Sequence, residues 1–399
     1  MKSLGLLLIL LTAPLATSST EPARAPRPDS LDPADCPYCG AKQKRMQRAG
    51  IYSHGGFEFA TTDTAGVEEL LPELPLRWIE TEHFELGFAL GPRKVELEEK
   101  KTLRAELERL SKVLPSVKPK TKTLDPWLRV HLYAQRLEDL YARMLEILEV
   151  SQSDFPDGKS EWMIGTPYFG DGPHLGEKGK YEVLILPDAD DQVTFLHSQF
   201  GLQLRHTQKW NNMERDSMIL VTNLTEDNIR DGMQLRNHVT FNMVHQLVDG
   251  YKHYSYDTPL YLKEGLAHFM EREINPRFNS FSFSEGGLPE DMRKSDWDKA
   301  VARMIQKGRA PRLAELVSLR GFAEFDADDH LACWSMTVFL LEHYPHEYAQ
   351  LFARLHGRKD EKGYPDGSNM REVHRKAFRE LIMPYAAFDQ VWQAWALAR

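Results

Sequence analysis

The chain has 399 residues, 42% hydrophobic and 27% charged, the make-up of a soluble globular protein with material for one large or two ordinary cores. Acidic residues outnumber basic ones 59 to 50, a net charge of −9, which argues against a nucleic-acid surface. Three cysteines are too few for a disulfide scaffold.

Residues 1–18 have the layout of a secretory signal peptide: Lys2, an apolar run over 4–11, then the small residues Ala13, Ala16 and Ser18. The run is too short to span about 30 Å of hydrocarbon, and no later stretch reaches membrane-spanning length. The expectation is a secreted or periplasmic protein with no membrane span. Residues 19–75 form a Pro/Gly-rich arm containing DCPYCG. CPYC resembles a thiol-redox motif but lacks the preceding strand, and CPxCG resembles half of a zinc knuckle with no second cysteine pair. A local disulfide or a surface turn is therefore expected at Cys36 and Cys39. A short helix is predicted near 41–47.

Residues 76–226 mix strands and helices. A strand or hairpin is predicted over 76–90. A helix is predicted over 94–114 from leucines at 97, 103, 107, 110 and 114. LRVHLYA (128–134) reads as a strand leading into a helix that ends near 150, and YEVLILP (181–187) as a strand stopped by Pro187. A helix over 191–206 and a strand over 217–223 follow, and Asn223-Leu224-Thr225 is a glycosylation sequon. Residues 227–399 read as helices, at 227–250, 259–274, 290–306, 329–356, 369–381 and 386–398. The fold class is α+β: a small mixed β-sheet in the N-terminal part, then a helical C-terminal half.

The chemistry concentrates at "HVTFNMVHQLVDGYKH" and "PLYLKEGLAHFME". Residues four apart share a helix face, so His245 and Asp249 point one way, with His238 two turns back on the same stripe. Pro259 suits the start of a second helix, on which Glu264 and His268 are again four apart. Two helices joined by a short loop commonly pack together, which would gather these side chains. His253 and His330 read as single surface or supporting histidines. The tyrosines at 251, 254 and 256 and the aromatic stretch over 278–283 read as packing or cleft lining, and Cys333 as core.

"HQLVD…PLYLKEGLAHFME" resembles the gluzincin zinc metallopeptidases, written roughly HExxH…PxWLxEGxAxxxE. The tail "ACWSMTVFLLEHYPHEYAQLFARLHG" and the opening "LRWIETEHFEL" resemble theirs more loosely. The resemblance implies a zincin-like helical half, with His245 and Glu264 as metal ligands. It places Gln246 in the slot of the glutamate general base and Asp249 in that of the second histidine ligand. His268 and His238 fall at supporting positions. A neutral amide cannot accept and return a proton, and general-base catalysis is worth about 10² to 10⁴-fold, so Gln246 disables the usual mechanism. Asp249 is milder, because a carboxylate can hold a metal and would favour harder cations. A metal-free site, with protonated His245 between Asp249 and Glu264, is the other way to balance charge. The leading expectation is a non-catalytic relative that binds a peptide, a protein or an envelope component, with either no cofactor or one divalent metal, zinc if any. A hydrolase with a base supplied by His268, Glu271 or Asp249 is the second reading, and a structural scaffold the third.

Overall fold

The computed structural model describes residues 29–155, 167–213, 215–226, 229, 231–251, 258–281, 296–356, 358–359, 361 and 365–399. The expected signal segment lies outside the described residues, as do His253, Tyr254 and Tyr256. Among the described residues no helix is long and apolar enough to cross a membrane.

Five strands make one mixed sheet: β1 (Arg77–Glu80), β2 (Phe84–Phe88), β3 (Tyr181–Leu186), β4 (Gln208–Asn212) and β5 (Ser217–Asn223). Their order is β1-β2-β3-β5-β4. The inner pairings β2/β3 and β3/β5 are parallel, while β1/β2 and β4/β5 are antiparallel. Both faces of the sheet are covered. Val183, Ile185 and Leu220 join one core, whereas Leu184, Leu186, Ile219 and Val221 join another with Phe195 and Trp78. That double burial is why YEVLILP is apolar without alternation. Strand β4, QKWNN, carries no apolar pattern and was not expected; pairing with β5 alone defines it.

The helices of ten residues or more are α1 (Lys100–Val113), α2 (Pro126–Ile147), α3 (Ala189–Phe200), α4 (Met233–Gly250), α5 (Leu260–Ile274), α6 (Trp297–Gln306), α7 (Ala327–His343), α8 (Pro345–Arg354), α9 (Met370–Leu381) and α10 (Tyr385–Ala398). Six of them follow residue 250 and one ends there, so the α+β division with a helical C-terminal half holds.

Residues 128–134 are a correction: they are the first turns of α2, not a strand. Asp125 caps this helix, its carboxylate accepting from the Leu128 amide at 3.0 Å, and Pro126 fills the first turn. The alternation misleads because every residue from 126 to 134 is buried, so no polar face marks the helical period. The helix expected over 329–356 is two, because Tyr344 leaves the helical region (φ −139°) and Pro345 starts α8. The helix α3 stops at Phe200, where Gly201 takes a left-handed conformation (φ +69°). The sequon asparagine is wholly buried and donates to Gln192 and to the Arg205 carbonyl, so its role here is structural.

Cys36 and Cys39 are also a correction. Both are free thiols and both are buried, so they form neither a disulfide nor a surface turn. Cys333 lies in the core as expected.

Candidate metal centre

The helices α4 and α5 pack side by side, and α7 packs on α5. Gly265, in EGLAH, makes the second approach close. A Cβ there would lie 2.5 Å from the Cys333 carbonyl oxygen and overlap the Thr337 hydroxyl. Glycine at this position lets α7 come near enough to deliver His330 from its first turn.

Four side chains meet at this crossing. His245 Nε2 is 3.2 Å from Glu264 Oε1. The other carboxylate oxygen, Oε2, is 3.5 Å from His268 Nε2 and 3.4 Å from His330 Nδ1. Those two nitrogens are 3.1 Å apart. All four residues are buried, Glu264, His268 and His330 completely. The walls are aromatic: Phe241, Phe281 and Trp297 pack on His268 and Phe325 on His330, with ring centroids 4.9–5.4 Å apart.

His268 is oriented from behind. Its Nδ1 lies 2.8 Å from Glu271 Oε1, and Glu271 also accepts from the Ser280 amide at 2.9 Å. A proton on Nδ1 satisfies Glu271 and leaves Nε2 as a lone pair facing Glu264. Carboxylates orient metal-binding histidines in this way.

Burial sets the charge states. It pushes His245 well below the usual imidazole range, helped by Lys209 and Lys263, and does the same to His268 with His330 and Arg272. Burial drives Glu264 up to about 8, opposed by Lys209 and Lys263. The expected protonated His245 between two carboxylates is therefore disfavoured by burial, and Asp249 takes Lys263 as its ion-pair partner instead.

A metal fits the group. Nitrogen and oxygen donors about 2.0–2.1 Å from a tetrahedral cation stand roughly 3.3 Å apart, and the distances here run from 3.1 to 3.5 Å. Neither oxygen of Glu264 makes a well-directed hydrogen bond despite three imidazole nitrogens around it. That is expected of donors aimed at a common point rather than at one another. Glu264, His268 and His330 form a buried group that could hold a metal ion.

The expected site residues thus divide. His245, Glu264 and His268 come together. Asp249 is paired with Lys263, and two imidazoles, of His268 and His330, stand at Glu264 instead. Gln246 is fully buried and donates its amide to the Ile219 carbonyl of β5 at 2.6 Å. His238 bonds Thr207 at 2.7 Å and Asn242 at 3.2 Å, in a network that includes Glu226. His330 was missed as a centre residue. It lies 62 residues beyond His268, and its only sequence signal is a lone histidine in the apolar run HLACWSM. Lys209, 3.5 Å from His245 Nδ1, was missed with its strand.

The chain matches no family model, no curated protein and no solved structure.

Proposed function

We propose that this is an exported, gluzincin-like protein that binds an extended peptide or protein segment and does not cleave it. In this reading the old catalytic centre has become a closed, structural one. The observation that carries it is the position of Gln246. The side chain in the base slot is an amide, sealed without solvent and already donating to Ile219. It can neither take a proton from water nor turn toward a substrate at no cost.

A zinc ion, held by Glu264, His268 and His330 with His245 alongside, would find two imidazoles and a carboxylate within a dry aromatic pocket. Catalytic zinc keeps one position open to water and substrate, whereas structural zinc is closed by protein donors. Three converging donors of wholly buried residues, with His245 against the other oxygen of Glu264, are sealed from solvent and substrate, which favours a structural role. Binding is assigned to the neighbouring sheet edge. Strand β4 stands last in the sheet, and among the described residues only β5 pairs with it. It carries exposed Trp210, is followed by exposed Met213, and sends Lys209 inward to His245. An extended segment can add to such an edge as a further strand.

Fluorescent peptides of mixed sequence, followed for anisotropy and cleavage in one sample, test the reading. Peptides are expected to bind and stay intact, with binding weakened by Trp210→Ala. Cleavage by the wild-type chain that disappears in Glu264→Ala overturns it. Neither binding nor cleavage would favour the scaffold reading.

A further inference from the structure

A second group of donors gathers at the arm. Residues 33–35 form a single 3-10 turn, and Cys36 closes it through its amide to the Pro33 carbonyl at 3.1 Å. Cys36-Pro-Tyr-Cys39 then turns tightly. Gly40 and Ala41 follow with φ of +56° and +50°, a reversal that costs a non-glycine residue strain. Both sulfurs end up buried.

Each sulfur meets a histidine from elsewhere in the chain. Cys36 Sγ is 3.3 Å from His131 Nε2, on α2, and Cys39 Sγ is 3.1 Å from His54 Nε2. The donor atoms of Cys36, Cys39 and His131 all lie within 4.8 Å of one another. The rings of His54 and His131 stand edge to face, 5.9 Å apart. His54 Nδ1 is 2.9 Å from the Trp78 carbonyl of β1. A carbonyl can only accept, so Nδ1 carries the proton and Nε2 turns a bare lone pair toward Cys39.

We propose that Cys36, Cys39, His54 and His131 form a closed Cys2His2 zinc site that clamps the N-terminal arm to the sheet and to α2. The sequence supplies half of a zinc knuckle in CPYCG, and two histidines supply the other half across up to 95 residues. Sulfur at about 2.3 Å and nitrogen at about 2.0 Å from tetrahedral zinc stand roughly 3.5 Å apart, and the two sulfur–nitrogen distances here are close to that. Two independent thiol–imidazole hydrogen bonds would account for each pair but not for their convergence. A redox role needs a thiol within reach of a partner and a substantial helix after the motif. These thiols are buried, and the helix that follows, Gln43–Arg48, has six residues. Four protein donors leave no position for substrate, so the role is structural.

Cobalt(II) distinguishes this site from the one around Glu264, because only thiolate ligands give an intense near-ultraviolet charge-transfer band. The full chain, reduced and stripped of metal, is titrated with cobalt(II) and then with zinc. The expected result is a thiolate band that saturates at one equivalent and is bleached by zinc. It should be lost in Cys36→Ser with Cys39→Ser, reduced in His54→Ala, and unchanged in Glu264→Ala. A wild-type chain that takes up cobalt(II) without that band overturns the proposal. So does a purified chain without zinc whose Cys36 and Cys39 are joined as a disulfide. Both overturning results are read on the wild-type chain, so a variant that fails to fold leaves the test intact. Failure of the Glu264 centre would instead show as loss of the uptake that persists in the cysteine variant.

Discussion

Around Glu264 the donors come from three helices, with α4 and α7 each packed on α5. Around Cys36 they come from a turn, a loop, and one residue of α2. The helical centre offers nitrogen and carboxylate oxygen behind aromatic walls, and its scaffold is held by core residues such as Val244, Leu266 and Cys333. The arm centre offers two sulfurs and two nitrogens. The chain around it contributes few core side chains, Tyr38, Met46 and Ile51 among them. Metal at the first would occupy a shape that packing already fixes. Metal at the second would make the shape, since a segment with little apolar burial cannot otherwise offset its conformational entropy.

The largest expected effect breaks that symmetry directly. Chelation, or Cys36→Ser with Cys39→Ser, should release the arm. Trypsin would then cut at Lys42, Lys44, Arg45 and Arg48, which are exposed but held in local structure. The sheet and the C-terminal helices should survive. Glu264→Ala should leave the arm resistant. Limited proteolysis with mass spectrometry reads both, and equal resistance with and without chelator would show that packing alone holds the arm.

The same contrast explains what was legible in the sequence. The helices α4 and α5, with their i, i+4 pairs, come from local spacing, and so do the strands at 181–187 and 217–223. Helix start and stop residues, read locally, account for most boundaries. What local reading cannot supply is the partner from a distant element. His330 reaches Glu264 through the packing of α7 on Gly265, and His131 reaches Cys36 through the path of α2. The strand misreading at 128–134 hid His131 as well, since on a strand it would have had no reason to face the arm. Asp249 was aligned by motif position, yet Lys263, one residue before Glu264, captures its charge. Neighbouring charge outweighed motif register there.

A smaller effect sharpens the geometric half of the comparison. Gly265→Ala places a methyl group against the Cys333 carbonyl and the Thr337 hydroxyl. Overpacking of this kind costs about 1–3 kcal/mol. The shift of α7 should carry His330 away from Glu264, weakening metal at that centre while arm proteolysis stays unchanged. Thermal unfolding together with zinc titration measures both halves. A stability loss without any change in zinc affinity would mean that His330 is not a ligand.

The smallest expected effect concerns protons. In the metal-free protein burial raises Glu264 to about 8, far above an unfolded glutamate. The folded state therefore keeps a proton that the unfolded chain gives up, so stability falls as pH rises from about 4.5 towards 8. The buried histidines act in the opposite sense: their lowered proton affinity costs stability as pH falls below about 6.5. Glu85, also pushed up to about 8 by burial and by Glu182, adds a slope of the same sign as Glu264. The difference between wild type and Glu264→Gln, both metal-free, isolates the one group. Wild type should lose more thermal stability between about pH 6 and 8 than the variant. Zinc should reverse the slope, because bound metal requires the ionised carboxylate. If the two metal-free proteins run in parallel, Glu264 is ionised throughout. Lys209 and Lys263 would then already supply the positive charge that a metal would bring, and the helical centre would stand without one.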